Sequence, residues 1–192
     1  MRKVIALLVL CAFALGACGK GEVRVPADWR QHTEFCLDNH MEKSAVRYSF
    51  WYPPEWTEYE SSIADWSVSF ESSAREGRGY AATYCHVEDV TAYWGEGVTT
   101  IEDALQAAYT GSTMSCGDDL KVTESSKIKG PHGDMFILAY SCTDEPLGWE
   151  SAIRVTTFSS PIVTILYSAE HDITPRERDL LLEVMRSVRF SK

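Results

Sequence analysis

Apolar and polar residues alternate in several short runs along this chain, the period-two signature of strands with one buried face. In Val46–Tyr52 the residues Val46, Tyr48, Phe50 and Tyr52 fall on one side, and Arg47, Ser49 and Trp51 on the other. Pro53-Pro54 ends that run, because proline offers no N–H to a ladder. Residues 65–71 predict a second strand with Trp66, Val68 and Phe70 in phase, and residues 79–87 a third, entered through Gly77-Arg78-Gly79. Leu120–Ile128 and Met135–Cys142 predict a hairpin turning at Gly130-Pro131-His132-Gly133. Met135–Tyr140 is apolar at consecutive positions, so this strand is expected to be central and covered on both faces. Glu150–Phe158 and Ile162–Ser168 predict another hairpin around Ser159-Ser160-Pro161.

Two segments change period. Thr99-Thr100-Ile101-Glu102 reads as a capping box, with the Thr99 hydroxyl taking the Glu102 amide proton, opening a helix that ends near Gly111. Thr174-Pro175-Arg176-Glu177 repeats the motif, with proline at its favoured first helical position. Beyond it Leu181, Val184, Met185 and Val188 recur at helical spacing and predict a buried stripe. Strands, a helix, four strands and a final helix predict an α/β (α+β) fold: a mostly antiparallel central sheet with helices packed on it.

The N-terminus has a different character. Arg2 and Lys3 precede an uncharged apolar run to Leu15, and Leu15-Gly16-Ala17-Cys18 follows. A basic start, a short apolar stretch and small residues make a secretory signal peptide, too short to span a bilayer comfortably. Its end resembles the lipobox of bacterial lipoproteins, which implies cleavage before Cys18 and a diacylglycerol on its thiol. Gly19 rather than aspartate follows, and under the sorting pattern of such lipoproteins this implies the outer membrane, facing the periplasm. The expected organisation is a signal peptide over 1–17, a tether over 18–29 and one globular domain over 30–192. The expected membrane partner is reached through the N-terminal lipid.

Charge narrows the function classes. The 192 residues carry 18 basic and 28 acidic side chains, a formal charge of −10, and cleavage would remove Arg2 and Lys3 but no acid. That argues against nucleic acid, which needs clustered Lys and Arg. Of six cysteines, Cys11 lies in the signal and Cys18 takes the lipid. Cys36, Cys85, Cys116 and Cys142 remain, an even set expected to form two disulfides in an oxidising compartment. Three connectivities exist. The 120–142 hairpin brings Cys142 towards Cys116 and so favours Cys116–Cys142 with Cys36–Cys85.

Tyr48-x-Phe50-x-Tyr52-Pro53-x-x-Trp56 resembles the opening strand and turn of the PsbP-like superfamily, which includes the periplasmic DcrB-like lipoproteins. Thr99–Tyr109, the strand pair Met135–Tyr140 and Ile162–Ser168, and the closing Ser187-Val188-Arg189-Phe190 follow in that family's order. Over residues 44–192 the resemblance implies a three-layer α/β/α sandwich serving assembly, scaffold or accessory roles without catalysis. Residues 30–44 have no counterpart in it, and the four cysteines are not a mark of it.

Candidate chemistry is sparse. His32, His40, His86, His132 and His171 are scattered, and no two sit one helical turn apart. His32 and His40 flank Glu34 and Asp38, which would make a metal site only if the segment were ordered so that three or four of them converge, as zinc needs. There is no Gly-x-Ser-x-Gly elbow, phosphate-cradling loop or dinucleotide fingerprint. No cofactor, metal or catalytic residue is expected. Six tryptophans are the least ordinary feature. Trp66 falls on a buried strand face, Trp51 opposite Phe50, and Trp56, Trp94 and Trp149 in or beside loops. Exposed tryptophan anchors protein partners or stacks on sugars. The expectation is therefore a non-catalytic envelope module working through protein contacts, with Trp51, Trp56, Trp94 and Trp149 as contact residues. The alternative is a glycan or peptidoglycan binder using loop tryptophans.

Overall fold

A computed structural model of the chain describes residues 25–59, 68–74, 77–116, 119–142 and 151–192. Ten strands and three helices lie among them: β1 Arg30–Leu37, β2 Lys43–Tyr52, β3 Trp56–Tyr59, β4 Val68–Ala74, β5 Gly77–His86, α1 Val90–Trp94, α2 Ile101–Cys116, β6 Lys121–Gly130, β7 Gly133–Ser141, β8 Ser151–Thr157, β9 Ile162–Ala169, α3 Pro175–Ser187 and β10 Arg189–Ser191. The strands form one sheet in the order β10-β2-β1-β5-β9-β8-β7-β6, with β4 also on β5 and β3 on β4. Every pairing is antiparallel except β1 with β5.

The sheet forks at β5. One edge of β5 is occupied by β9 from Gly79 to His86. The other is divided: β4 takes Gly77–Thr83, and β1 reaches only the far end, Leu37 opposite His86. A bond from the Val87 amide to the Leu37 carbonyl (2.9 Å) adds to that junction. Three strands, β10–β2–β1, therefore form a leaf hinged on one end of β5. Phe50, Tyr52, Trp56 and Phe70 fill the fork, with Tyr52 and Phe70 ring centres 4.7 Å apart.

Both faces of the sheet carry helices. Helix α3 lays Leu181, Leu182, Val184 and Met185 on the face lined by Tyr48, Phe50, Ile137, Val155 and Ile165. Burying such a side chain stabilises by about 1.5–3 kcal/mol. Helices α1 and α2 lie on the other face, where Ala104, Ala108, Phe136 and Leu138 make a smaller core. The antiparallel sheet with packed helices expected from the element order is present, and so is the three-layer arrangement that the resemblance implies.

Several boundaries differ from the sequence reading. The capping box of α2 is Thr100 with Asp103, one residue beyond the expected pair. Asp103 also accepts from the Thr99 amide and hydroxyl, so its shorter carboxylate serves three donors while Glu102 reaches Lys127 instead. The helix runs through Gly111 to Cys116. Ser112 is buried and donates to the Ala108 carbonyl, and a mid-helix glycine costs only about 1 kcal/mol. Strand β7 is covered on both faces as expected, but it is next to the edge strand rather than central. The strand expected over 65–71 is β4 from Val68; its opening residues, Trp66 among them, lie outside the described residues. Strand β1 gives no alternating signal, because its inward positions include the polar His32 and Glu34.

Candidate functional site

The two disulfide expectations fare differently. Cys36 and Cys85 are bonded, joining β1 to β5 beside their single pairing, with Cα atoms 4.6 Å apart. Cys142 is disulfide-bonded, and the Cys116 side chain lies outside the described residues. Cys18 and the whole 1–24 segment also lie outside them.

The four tryptophans singled out as contacts separate. Trp56 opens β3 and is 1 % exposed, stacked near Tyr167 and Phe70, so it is core and not surface. The proline turn that placed it in a loop folds back, with the Trp56 amide bonded to the Pro53 carbonyl at 3.1 Å. Trp94 closes the short helix α1 and is half-buried against Phe136 (5.5 Å between ring centres), with Nε1 buried and unbonded. Trp149 lies outside the described residues. Of the three described, only Trp51 stays at an outward strand position, opposite Gln31 and away from the α3 core.

The histidines are held apart by local partners. His32 Nδ1 lies 3.1 Å from Glu58 Oε2, bridging the fork between β1 and β3. Asp38 instead accepts from the amides of His40 and Glu42, and those bonds hold its carboxyl below the usual range. Glu34 accepts from the Phe35 amide. His86 packs on Tyr93, and burial pushes its pKa down. His132 bonds the Val188 carbonyl at 2.7 Å. His171 bonds Glu177 at 2.9 Å. Among the described residues no three His, Cys, Asp or Glu side chains gather as metal ligands.

Glu177 is the most heavily bonded carboxylate on α3. It accepts from the Thr174 amide and hydroxyl, from Tyr167 and from His171. Burial pushes its pKa up, but these donors outweigh burial and hold it below the usual range. The neighbouring Arg178 grips Glu124 of β6 with two nitrogens, a bidentate pair that ties the edge strand to α3. Both carboxylates are occupied in holding α3 in place.

What remains open is the outer face of the β10–β2–β1 leaf. Strand alternation sends Tyr48, Phe50 and Tyr52 into the core and Arg47, Ser49 and Trp51 outward. Register adds Gln31, Thr33 and Phe35 from β1, and Arg189 and Ser191 from β10. Lys43 and Arg47 stand over the Phe35 ring at 5.3 and 4.5 Å. Arg47 is exposed and makes no carboxylate contact among the described residues, while Arg189 turns to cap the carbonyls of Arg186 and Val188. No outward position of the three strands carries a carboxylate; Glu34, on the inner side, reaches Lys43 at 3.6 Å. Helix α2 packs on β7, well away in the sheet order, so no described helix covers this face.

The architecture is a PsbP-like α/β sandwich. It superposes on the crystal structure of the Saccharomyces cerevisiae Ran-binding protein Mog1p with a TM-score of 0.54 at 10 % identity, over 74 % of this chain and 89 % of that one. It also superposes on the solution structure of cyanobacterial PsbP (CyanoP) from Synechocystis with a TM-score of 0.51 at 14 % identity, over 91 % of this chain and 98 % of that one. No family profile matches the sequence, and no curated protein sequence matches it. At these identities the likeness establishes the fold alone.

Proposed function

We propose that this chain is a lipid-anchored protein of the bacterial cell envelope, a non-catalytic binding or assembly module that works through protein contacts made by the open face of the β10–β2–β1 leaf. The observation that carries the reading is that face itself: three strands with an outward tryptophan and an arginine stacked on phenylalanine, left bare by the described helices. Tryptophan and arginine dominate the energetics of protein interfaces. One neighbour in fold, Mog1p, is a Ran-binding protein, which makes a protein partner a natural use of such a sandwich. A row of stacking tryptophans, which a glycan binder would use, is not supported, since Trp56 is core and Trp94 packs on Phe136.

The Leu15-Gly16-Ala17-Cys18 sequence supports cleavage before Cys18 and lipidation of its thiol, with the outer membrane, facing the periplasm, as destination. Residues 18–29 serve as the tether. Cys142 is bonded, and Cys116 is the partner we assign to it.

A photo-crosslinking amino acid at Ser49, in cells that also receive a fatty-acid analogue, tests both parts. Lipid label lost in Cys18→Ser, and a discrete crosslinked protein from Ser49 but not from exposed Arg176, are the expected results. Label retained by the serine variant would refute the anchor, and no Ser49 crosslink in the labelled protein would refute the contact face.

A further inference from the structure

The geometry points to an acidic segment of a partner protein as the occupant of the outer β10–β2–β1 face. This rests on the contact role proposed above and adds the chemistry of the partner. In the chain as a whole acidic residues outnumber basic ones, 28 to 18. An open face of three strands bearing Lys43, Arg47 and Arg189 and no outward carboxylate is therefore a local reversal of sign, even with Lys43 paired to Glu34, and Arg47 is its cation with neither a carboxylate nor a carbonyl partner among the described residues. Complementary potentials of this kind select partners and speed encounter.

Arg47 is the centre of the face. Its guanidinium stacks on Phe35 at 4.5 Å, so the fork is held in one orientation and loses less freedom when it binds. A guanidinium presents paired N–H donors that match a carboxylate. Trp51 lies four residues along the same strand face and offers an apolar anchor beside the charge. The outward Thr33 adds a small hydrogen-bonding group between them.

Breadth decides against an anionic membrane surface as occupant. A flat bilayer laid on this face also comes within a Debye length, about 8–10 Å at physiological salt, of the exposed Glu42 beside Lys43 and of Asp38 in the same turn, whose charges oppose it. A short acidic segment meets only the leaf. A second copy docking by this same face is also disfavoured, because an isologous contact sets Arg47 near its own mate.

The test uses purified full-length protein and a rhodamine-labelled octaglutamate peptide, read by fluorescence anisotropy. Expected is saturable binding that weakens as ionic strength rises above about 0.1 M. Arg47→Glu and, independently, Thr33→Glu should weaken it by about tenfold or more, while Arg176→Glu on α3 should not. Two substitutions on separate strands, each with an unchanged unfolding midpoint, keep a folding defect from mimicking the result. Absence of octaglutamate binding, or equal binding by Arg47→Glu, overturns the proposal, as does binding to phosphatidylglycerol vesicles without binding to the peptide. A Ser49 crosslink in cells combined with no octaglutamate binding sinks the acidic chemistry alone and leaves the contact role standing.

Discussion

His132 donates its Nε2–H to the Val188 carbonyl at 2.7 Å, joining the β6–β7 turn to the residue just before β10, although those strands stand at opposite ends of the sheet order. The imidazole also meets the Phe190 ring edge-on, with centres 4.9 Å apart. The sheet therefore curls far enough round α3 for its two ends to touch.

His132→Ala removes that clasp. The hydrogen bond and the ring contact together are worth about 1–2 kcal/mol. Global stability should fall by that amount, and hydrogen exchange should quicken at the β10 amides before those of β8 or β9. Uniform acceleration over all strands would show that the contact does not localise to the closure.

Glu177 sets the acid limit of the α3 end. Its folded pKa lies below its unfolded value near 4.5, because the donors from Thr174, Tyr167 and His171 favour the charged form. The stability it contributes is complete above pH 4.5 and is lost as pH falls from there through the depressed folded value. Glu177→Gln should cost about 1–3 kcal/mol at neutral pH and flatten the acid limb of the unfolding midpoint against pH. An unchanged acid slope would remove Glu177 from that role.

Tyr167 lies across Gly79, where an added Cβ would fall onto its phenolic oxygen. That ring is buried, and its hydroxyl donates to Glu177 at 2.8 Å, so it has nowhere to retreat. Gly79→Ala should destabilise by about 1–3 kcal/mol. Combined with Tyr167→Phe it should recover little, since the ring remains; combined with Tyr167→Ala the glycine position should become tolerant. Denaturant titrations of the two double variants discriminate.

Trp56→Ala should cost about 3–5 kcal/mol, as large core deletions do. Trp51→Ala should change stability by less than about 1 kcal/mol. Chemical unfolding of the two variants checks the ordering, and equal losses would mean that Trp51 belongs to the core.

Much of this sheet is legible from period alone, and the failures have local causes. Val46–Tyr52 announces itself because every second residue enters the core, and Thr174–Glu177 because the cap residues answer each other. Strand β1 stays hidden: its inward His32 and Glu34 find Glu58 and the Phe35 amide as partners, and no single-chain pattern records such pairings. The sequence puts Trp56 in a loop for a related reason. A residue after Pro-Pro reads as loop, while the pairing with Ser72 that draws it inside is a contact between distant segments. Of the contact residues only Trp51 could be placed on a face from sequence. That the face is bare, and free of carboxylates, depends on register with β1 and β10, which the sequence does not display.

The fork at β5 has a mechanical side. A pull on the chain upstream of Arg30 runs along β1, whose ladder to β5 is one residue pair long. The Cys36–Cys85 bond lies at that junction, so load passes into the body of the sheet through a covalent link and not by peeling hydrogen bonds apart. A reductant would leave the leaf held to the sheet by that one pairing, by the α3 contacts and by the side chains packed in the fork. The force needed to unzip the molecule from its N-terminal end would then become a reading of the redox state around it.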